Sequence, residues 1–463
     1  MKEYLDRLGS RSILTKVSDQ VSVDYDIASI LLSLEDKPII FENIEGFSIR
    51  AAGNLFANRD LLALGLGIQG PNLVSKLQDA IDSPSDSKGN VAGFSESSWD
   101  HNERADLSKL PILKHFENEA GRYLTAGIVV AKFPNSSSEN LSFHRMLVLD
   151  KDKVAARIVP RHLNQIMKEG RGEKIRVSVA IGPPPAVFVA ASLQTKFGAS
   201  EYNIANKLNG EKLRLSNSEL SEIAYPSDTE ILLEGWLDAS DQADEGPFVD
   251  LTGTYDEVRR QPVIKFDRMH YNDDSVYQAV VASSSEHSLF MGLPQELKIS
   301  QALSNSIPRT RGINLTPASN GYFHCIVSID KGNDGDGKTA ILNCFAASHP
   351  LKLVIAVDSD VDPFDLSAVE WALATRFQAE SGLVVINGAR GSSLDPSSGK
   401  LAVTSKMGLD ATLPIKADRS KYARANLKFS NRSVSVLKAL GFQIGPAHAS
   451  QSAKKIAEPT ATM

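Results

Sequence analysis

Cysteine is nearly absent from this 463-residue sequence: Cys325 and Cys344 are the only two. That excludes a disulfide framework and a Cys-x-x-Cys metal site. No apolar run approaches the ~20 residues that a membrane-spanning helix needs. The opening residues, Met1-Lys-Glu-Tyr-Leu-Asp-Arg-Leu8, are charged throughout and do not read as a signal peptide, so the cytoplasm is the expected location. Positive charge is in deficit. A net charge of -6 argues against a nucleic-acid backbone as partner. No internal repeat is visible. What is present, 42% hydrophobic and 23% charged residues, describes a soluble globular protein with room for about three domains.

Along the chain, residues 2–34 read as helix, break, helix, and Pro38-Ile-Ile-Phe41 as a strand. Asn58 is a plausible cap for a helix through Gly67. Residues 82–105, rich in Ser, Asp, Gly and Asn, read as an exposed loop or linker. From Leu110 to about Trp236, short β-type runs alternate with turns: 123–131, Phe143 to Leu149, Ala155 to Val159 and Ile175 to Ile181. A helix at 160–168 interrupts them and another follows at 201–208. This spacing suggests a barrel-like sheet. The last third alternates strands (321–329, 351–357, 383–386) with helices (338–348, 368–376), as a separate α/β domain with parallel pairs does. The fold class is therefore mixed α/β. It comprises an N-terminal α/β domain at 1–105, a central split-barrel-like domain at 106–300, a C-terminal α/β domain at 301–445 and a flexible tail at 446–463.

The chemistry concentrates in Asp241-Gln-Ala-Asp-Glu-Gly-Pro-Phe-Val-Asp250. Gly246-Pro247 dictates a turn that brings Glu245 and Asp250 together. Close carboxylates push each other's pKa apart, so that one holds a proton while the other stays charged. Asn140-Leu-Ser-Phe-His-Arg145 opens a strand expected to run on into Met146-Leu-Val-Leu149. An Arg in a half-buried strand needs an anion, and Glu245 and Asp250 are the candidates.

Glu-Gly-Pro-Phe-x-Asp and Asn-x-Ser-x-x-Arg, together with 38–46 and 53–59 near the start, resemble the UbiD-type decarboxylases from about Pro38 to Thr412. The resemblance implies reversible, non-oxidative loss of CO2 from an aromatic, heteroaromatic or α,β-unsaturated carboxylic acid. The cofactor is then prenylated FMN, supplied by a flavin prenyltransferase, in the central domain. Arg145, Glu245 and Asp250 become catalytic: Glu245 holds Arg145, Arg145 orients the substrate carboxylate or tunes the flavin, and Asp250 protonates the carbon. Asn140, His162 and Glu201 become ligands of Mn2+ against the flavin phosphate, beside a K+ near Ala190-Ala-Ser-Leu193. Cofactor contacts are implied for Asn140, Ser142, Phe143, His144, Arg145, Arg161, His162, Ser192, Glu201 and Lys406, with Lys400 an alternative to Lys406. Ile158, Leu251 and His287 are pocket candidates, His287 either bonding a heteroatom or capping a turn. A homodimer or larger assembly through the C-terminal domain is expected. The chain departs from the family in placing Val249 before the second acid, which could tilt Asp250.

Two other readings compete. Gly332-Asn-Asp-Gly-Asp-Gly-Lys-Thr339 matches the nucleotide-binding pattern GxxxxGK[ST], and Leu353-Val-Ile-Ala-Val-Asp358 imitates its Mg2+-holding strand. Asp334 and Asp336 would face the phosphates, so the loop reads as a polar connection. Asp358-Ser-Asp-Val-Asp362 invites Ca2+ but reads as a solvated strand end. The second competitor is a non-catalytic UbiD-like assembly subunit, supported only by Val249.

Overall fold

The computed structural model describes residues 1–441 except 96–97, 135, 171–173, 221–222, 308, 399–400 and 426–427. The expected tail and Lys400 lie outside the described residues. Among the described residues, no helix is long and apolar enough to cross a membrane.

The centre is a nine-stranded sheet. Its order is 123–124, 146–150, 153–156, 259–271, 231–245, 175–181, 128–132 and 139–143, with 101–104 also paired to 259–271. The strands Glu139–Phe143 and Met146–Asp150 are consecutive in sequence yet lie at or near opposite ends of this path. The sheet must therefore curl until its ends are bridged by His144 and Arg145. The expected continuous strand from 143 to 149 is thus two strands, broken at His144–Arg145. The apolar run hid the break, because both halves are buried. Side chains such as Val129, Met146, Val177, Leu233 and Phe266 fill the concave side and meet Ile27 and Leu31 of the helix Asp26–Ser33.

The N-terminal part adds a four-stranded sheet, 15–17, 39–41, 50–53 and 276–279, whose last strand returns from far along the chain. Asn58 caps the helix Arg59–Leu66 by accepting from the Leu61 amide, as its position before an apolar run dictates. The segment 82–105 is not simply a loop: Val91–Ala92 pairs with 215–217, and His101–Arg104 extends the central sheet. Its polar residues hid two short edge pairings, where only one face needs apolar cover.

The helix Ser285–Ser304 leads into the C-terminal sheet, ordered 309–315, 324–330, 353–358, 403–411 and 383–390. Strand Leu353–Asp358 is apolar throughout because both faces are covered: Val354 and Ala356 pack in one cluster, Ile355 and Val357 in another.

Candidate active site

Arg145 stands at the bridge between the two ends of the curled sheet, with its side chain only 9% exposed. Its guanidinium makes a two-pronged contact with Glu245, Nε to Oε1 at 2.8 Å and Nη2 to Oε2 at 3.0 Å. Nη1 donates to Asp250 Oδ2 at 2.6 Å, and Nη2 also to Asp256 Oδ2 at 2.9 Å. Its plane lies 4.8 Å from the Phe248 ring centroid. Burial opposes the guanidinium's charge, but Glu245, Asp250 and Asp256 together raise its pKa above the ordinary value. Glu245 and Asp250 do come together, with Arg145 between them.

Local sequence builds this corner. Glu245 ends the long strand Ile231–Glu245 with no exposed surface. Gly246 follows at φ +104°, a conformation that a side chain resists, and a Cβ there would meet the Glu257 carbonyl at 3.0 Å. The Tyr123 hydroxyl receives the Gly246 amide at 3.1 Å, and its ring packs on Phe248. Val249 is buried in a short hairpin with 255–256 and leaves Asp250 on Arg145, so the feared tilt does not occur.

Asp256 is the acid that the motif reading missed. The hairpin sets it opposite Phe248, and Arg259 also holds it, at 2.6 Å. Burial works against its charge, yet the two arginines keep its carboxyl below the usual range. The only sequence signal was Thr252-Gly253 between two short β-type runs. Arg157 was missed as well. Its amide donates to the Arg145 carbonyl at 3.0 Å, and its half-buried side chain makes no hydrogen bond or ion pair among the described residues. Burial, with Arg259 and Arg145 nearby, lowers its pKa.

Other expected residues line up around this core. His144 accepts from or donates to Ser142 Oγ at 3.0 Å through Nε2, while Nδ1 meets the Arg157 carbonyl at 2.9 Å. A carbonyl only accepts, so Nδ1 carries the proton and Ser142 donates to Nε2. Burial depresses this imidazole to about 4, leaving it neutral. Phe143 packs edge-on against Phe188. Ile158 is buried with its amide on Gln261, and Leu251 is fully buried with its amide on Asp250 Oδ1. His287 accepts the Ser283 amide at Nδ1, 3.1 Å away, so it caps a turn and keeps Nε2–H for another partner. Burial lowers its pKa, with Asp250 and Arg145 close enough to act on it.

The metal candidates are partly gathered. Asn140 is buried and donates to Ser142 Oγ at 3.1 Å, which leaves its carbonyl uncommitted. Glu201 Oε2 accepts the amide of Leu141, the next residue, and Oε1 accepts from Thr195. Burial drives this carboxyl up to about 7. His162 packs edge-on against Phe133 and Phe197 and its ring makes no hydrogen bond among the described residues. An amide oxygen, an imidazole and a carboxylate suit Mn2+ or Mg2+. Ser192 Oγ is turned back to the Val189 carbonyl at 2.7 Å. Lys406 is directed away from the Arg145 cluster, donating at 2.7 Å to the carbonyls of both His349 and Leu351. Burial lowers it to about 8. His349 is depressed to about 4 by burial and by Arg390, Lys406, Arg161 and Lys298, which lie close enough to act on it.

The nucleotide-loop reading fails on geometry. The helix starts at Asp336, whose carboxylate already takes the Gly332 and Asn333 amides at 2.7 and 2.9 Å. Asp334 takes the Ile415 amide. The donors that would cradle a phosphate are occupied by the protein's own acids. Asp358 and Asp360 are held by Arg376 and Asp362 by the Phe364 amide, so no Ca2+ site forms there.

Comparison with known proteins accounts for this arrangement. The N-terminal, Rift-related and C-terminal domains of 3-octaprenyl-4-hydroxybenzoate carboxy-lyase match residues 5–81, 87–285 and 288–411. The anhydromevalonate phosphate decarboxylase of Methanothermobacter thermautotrophicus is 37% identical over 430 residues, covering 92% of this chain and 99% of its own. The UbiD-class enzyme HmfF from Pelotomaculum thermopropionicum, solved with FMN, superposes with a TM-score of 0.89 at 30% identity, over 92% of this chain and 97% of HmfF. An evolved dimeric HmfF with prenylated FMN gives a TM-score of 0.83 at 28% identity, over 91% and 98%. The chain belongs to the 3-octaprenyl-4-hydroxybenzoate carboxy-lyase (UbiD) family, and is a decarboxylase.

Proposed function

We propose that this decarboxylase uses prenylated FMN to remove CO2 from an α,β-unsaturated acid that carries a phosphate, and that Arg145, Glu245 and Asp250 do the work. The observation that carries the reading is the single guanidinium shared by Glu245 and Asp250 at the bridge of the curled sheet. The phosphate follows from the relatives' named substrate, anhydromevalonate phosphate, and from the cations gathered around His349. Arg161, Lys298, Arg390 and Lys406 offer more positive charge than one flavin phosphate requires.

The flavin belongs in the central unit, where Ser142, Phe143, His144 and the unpaired Arg157 flank Arg145. When bound, it supplies the electron sink for loss of CO2. Glu245 fixes Arg145 from below. Arg145 orients the substrate carboxylate, and Asp250, once released from Nη1 and protonated, delivers its proton to the carbon that has lost CO2. Run in reverse, the same groups remove that proton and allow carboxylation. Leu251, Ile158 and Phe248 keep water away from the reacting carbon, and His287 presents Nε2–H to the substrate. Asn140, His162 and Glu201 hold Mn2+, with K+ beside the Ser192 segment.

We read the chain as three units divided near 105 and 300, with a flavin prenyltransferase as cofactor supplier and the cytoplasm as location. Self-association fits the C-terminal unit: Leu383, Val385, Val403 and Met407 lie exposed on one face of the edge hairpin.

The test is a substrate panel on enzyme co-expressed with a flavin prenyltransferase. It includes a phosphorylated α,β-unsaturated acid, its dephosphorylated parent, and aromatic and heteroaromatic acids. CO2 release from the phosphorylated acid should exceed that from its parent by ~100-fold in kcat/KM, since the parent cannot make the charge-assisted contacts that the phosphate makes with these cations. Equal rates would refute the phosphate, and preference for an aromatic acid would reassign the substrate class.

A further inference from the structure

On the central sheet, toward the opposite ends of the two strands that carry Glu245 and Arg259, three groups converge without satisfying one another. His270, on the strand Arg259–Tyr271, lies opposite Leu232, and Glu234 is two residues along that neighbouring strand on the same face. Glu219 comes down onto them from the connection between the strands 215–217 and 224–226. That connection is clamped in place, because Glu234 Oε1 accepts the Glu219 amide at 2.9 Å and Oε2 the Leu220 amide at 3.2 Å.

His270 has no exposed surface, and among the described residues neither of its ring nitrogens has a hydrogen-bond partner. Glu219 Oε2 is also buried and unpartnered. His270 Nε2 lies 3.7 Å from Glu234 Oε2 and 3.9 Å from Glu219 Oε2, too far for hydrogen bonds. Orphaned buried polar atoms are uncommon, and His270 Nε2 and Glu219 Oε2, which face each other, call for a common partner. Water could bridge two of them, but it brings no positive charge to two carboxylates that face the same imidazole.

We propose that His270, Glu234 and Glu219 form a divalent transition-metal site, separate from Asn140, His162 and Glu201. One imidazole nitrogen and two carboxylate oxygens suit Zn2+ or Mn2+. All three ligand atoms lie within 4.8 Å of one another. Tetrahedral Zn2+ with bonds near 2.1 Å separates its ligand atoms by roughly 3.4 Å, so closure brings His270 a few tenths of an ångström toward each carboxylate and the two carboxylates together by up to about 1.4 Å. Arg268 Nη2 stands 3.7 Å from Glu219 Oε1, the oxygen not aimed at His270, as an outer partner. The Glu219 side chain is 21% exposed, which gives an ion its way in and a water its place in the fourth position. Phe94 and Trp99 cover the imidazole, with ring centroids 5.5 and 5.8 Å away. The ion would pin the small sheet of 91–92, 215–217 and 224–226 onto the barrel.

The experiment uses the full chain, freed of metal with a chelator, and Zn2+ alone as first probe. Wild type should hold one equivalent of Zn2+ more than His270→Gln by elemental analysis, and Glu219→Gln should bind that equivalent at least ~10-fold more weakly. His162→Ala, which removes the other set, should keep the extra equivalent. Co2+ should quench Trp99 fluorescence in wild type, with the quench lost in Trp99→Phe and in Glu219→Gln. Glu219 lies on a connection, so its variant folds even if His270→Gln does not. Equal Zn2+ content in wild type and Glu219→Gln, with unchanged quenching, would overturn the site and leave a buried ion pair in its place.

Discussion

Arg145 and Arg376 are both nearly buried, and each closes two prongs on a carboxylate, Glu245 in one case and Asp360 in the other. Each also reaches a second acid, Asp250 or Asp358. The difference lies in what surrounds them. Asp358 is closed off: Arg376 and the Leu413 amide take one oxygen and Arg419 the other, tying the end of a C-terminal strand to later segments. Around Arg145 groups are left over, namely Arg157 without an anion and His287 with a free N–H. A buried arginine with carboxylates is therefore common to a girder and a reaction centre. Unmet neighbouring side chains separate the two, since the unpartnered atom at the second site is the Nε of Arg376 itself.

Removing each arginine should break that comparison most strongly. Arg145→Gln and Arg376→Gln each strand buried carboxylates, and each should destabilise the fold by ~3–5 kcal/mol in denaturant titrations. Only Arg145→Gln should also reduce turnover of the remaining folded enzyme, by ~100-fold or more. Equal activity losses in the two would erase the distinction. Next in size, Glu245→Gln should lower kcat/KM by ~10-fold or more through both kcat and KM, because Arg145 loses its fork. Asp360→Asn should leave steady-state kinetics unmoved.

A third buried acid belongs to neither arginine. Glu286 accepts the Phe56 amide at 2.9 Å, and burial raises it from 4.5 to about 8. The folded chain then keeps a proton that the unfolded chain has lost between those values. The contribution of Glu286 to stability is fully present below about 4.5 and is lost as pH rises toward about 8. Thermal melts of Glu286→Gln should show a smaller decline over that window than wild type, and an identical decline would remove Glu286 as its source. The smallest effect concerns the C-terminal loop: Lys338→Ala should leave flavin content and decarboxylation unchanged, since Asp336 already occupies the loop amides.

Much of this contrast was legible in the sequence, and the limits are physical. Arg145, Glu245 and Asp250 could be read because Glu-Gly-Pro-Phe-x-Asp and Asn-x-Ser-x-x-Arg are local patterns around a turn and a strand. Asp256 and Arg157 could not, since a strand register and a backbone contact bring them in, and neither leaves a local mark. The split at His144–Arg145 was hidden inside an apolar run, although the barrel-like spacing of the short strands was plain. The C-terminal α/β alternation was visible because parallel strands are apolar on both faces. The loop at 332–339 showed the converse, a matching pattern whose acids cancel its meaning.

The central claim is that Asp250, beside Arg145, moves the proton that replaces CO2. The direct measurement is solvent deuterium exchange at the reacting carbon of the product, in wild type and Asp250→Asn, each loaded with prenylated flavin. The account predicts full flavin content in both, with exchange and turnover falling together by ~100-fold or more in the variant. Near-normal exchange in Asp250→Asn at full flavin content would contradict it and send the proton to another group.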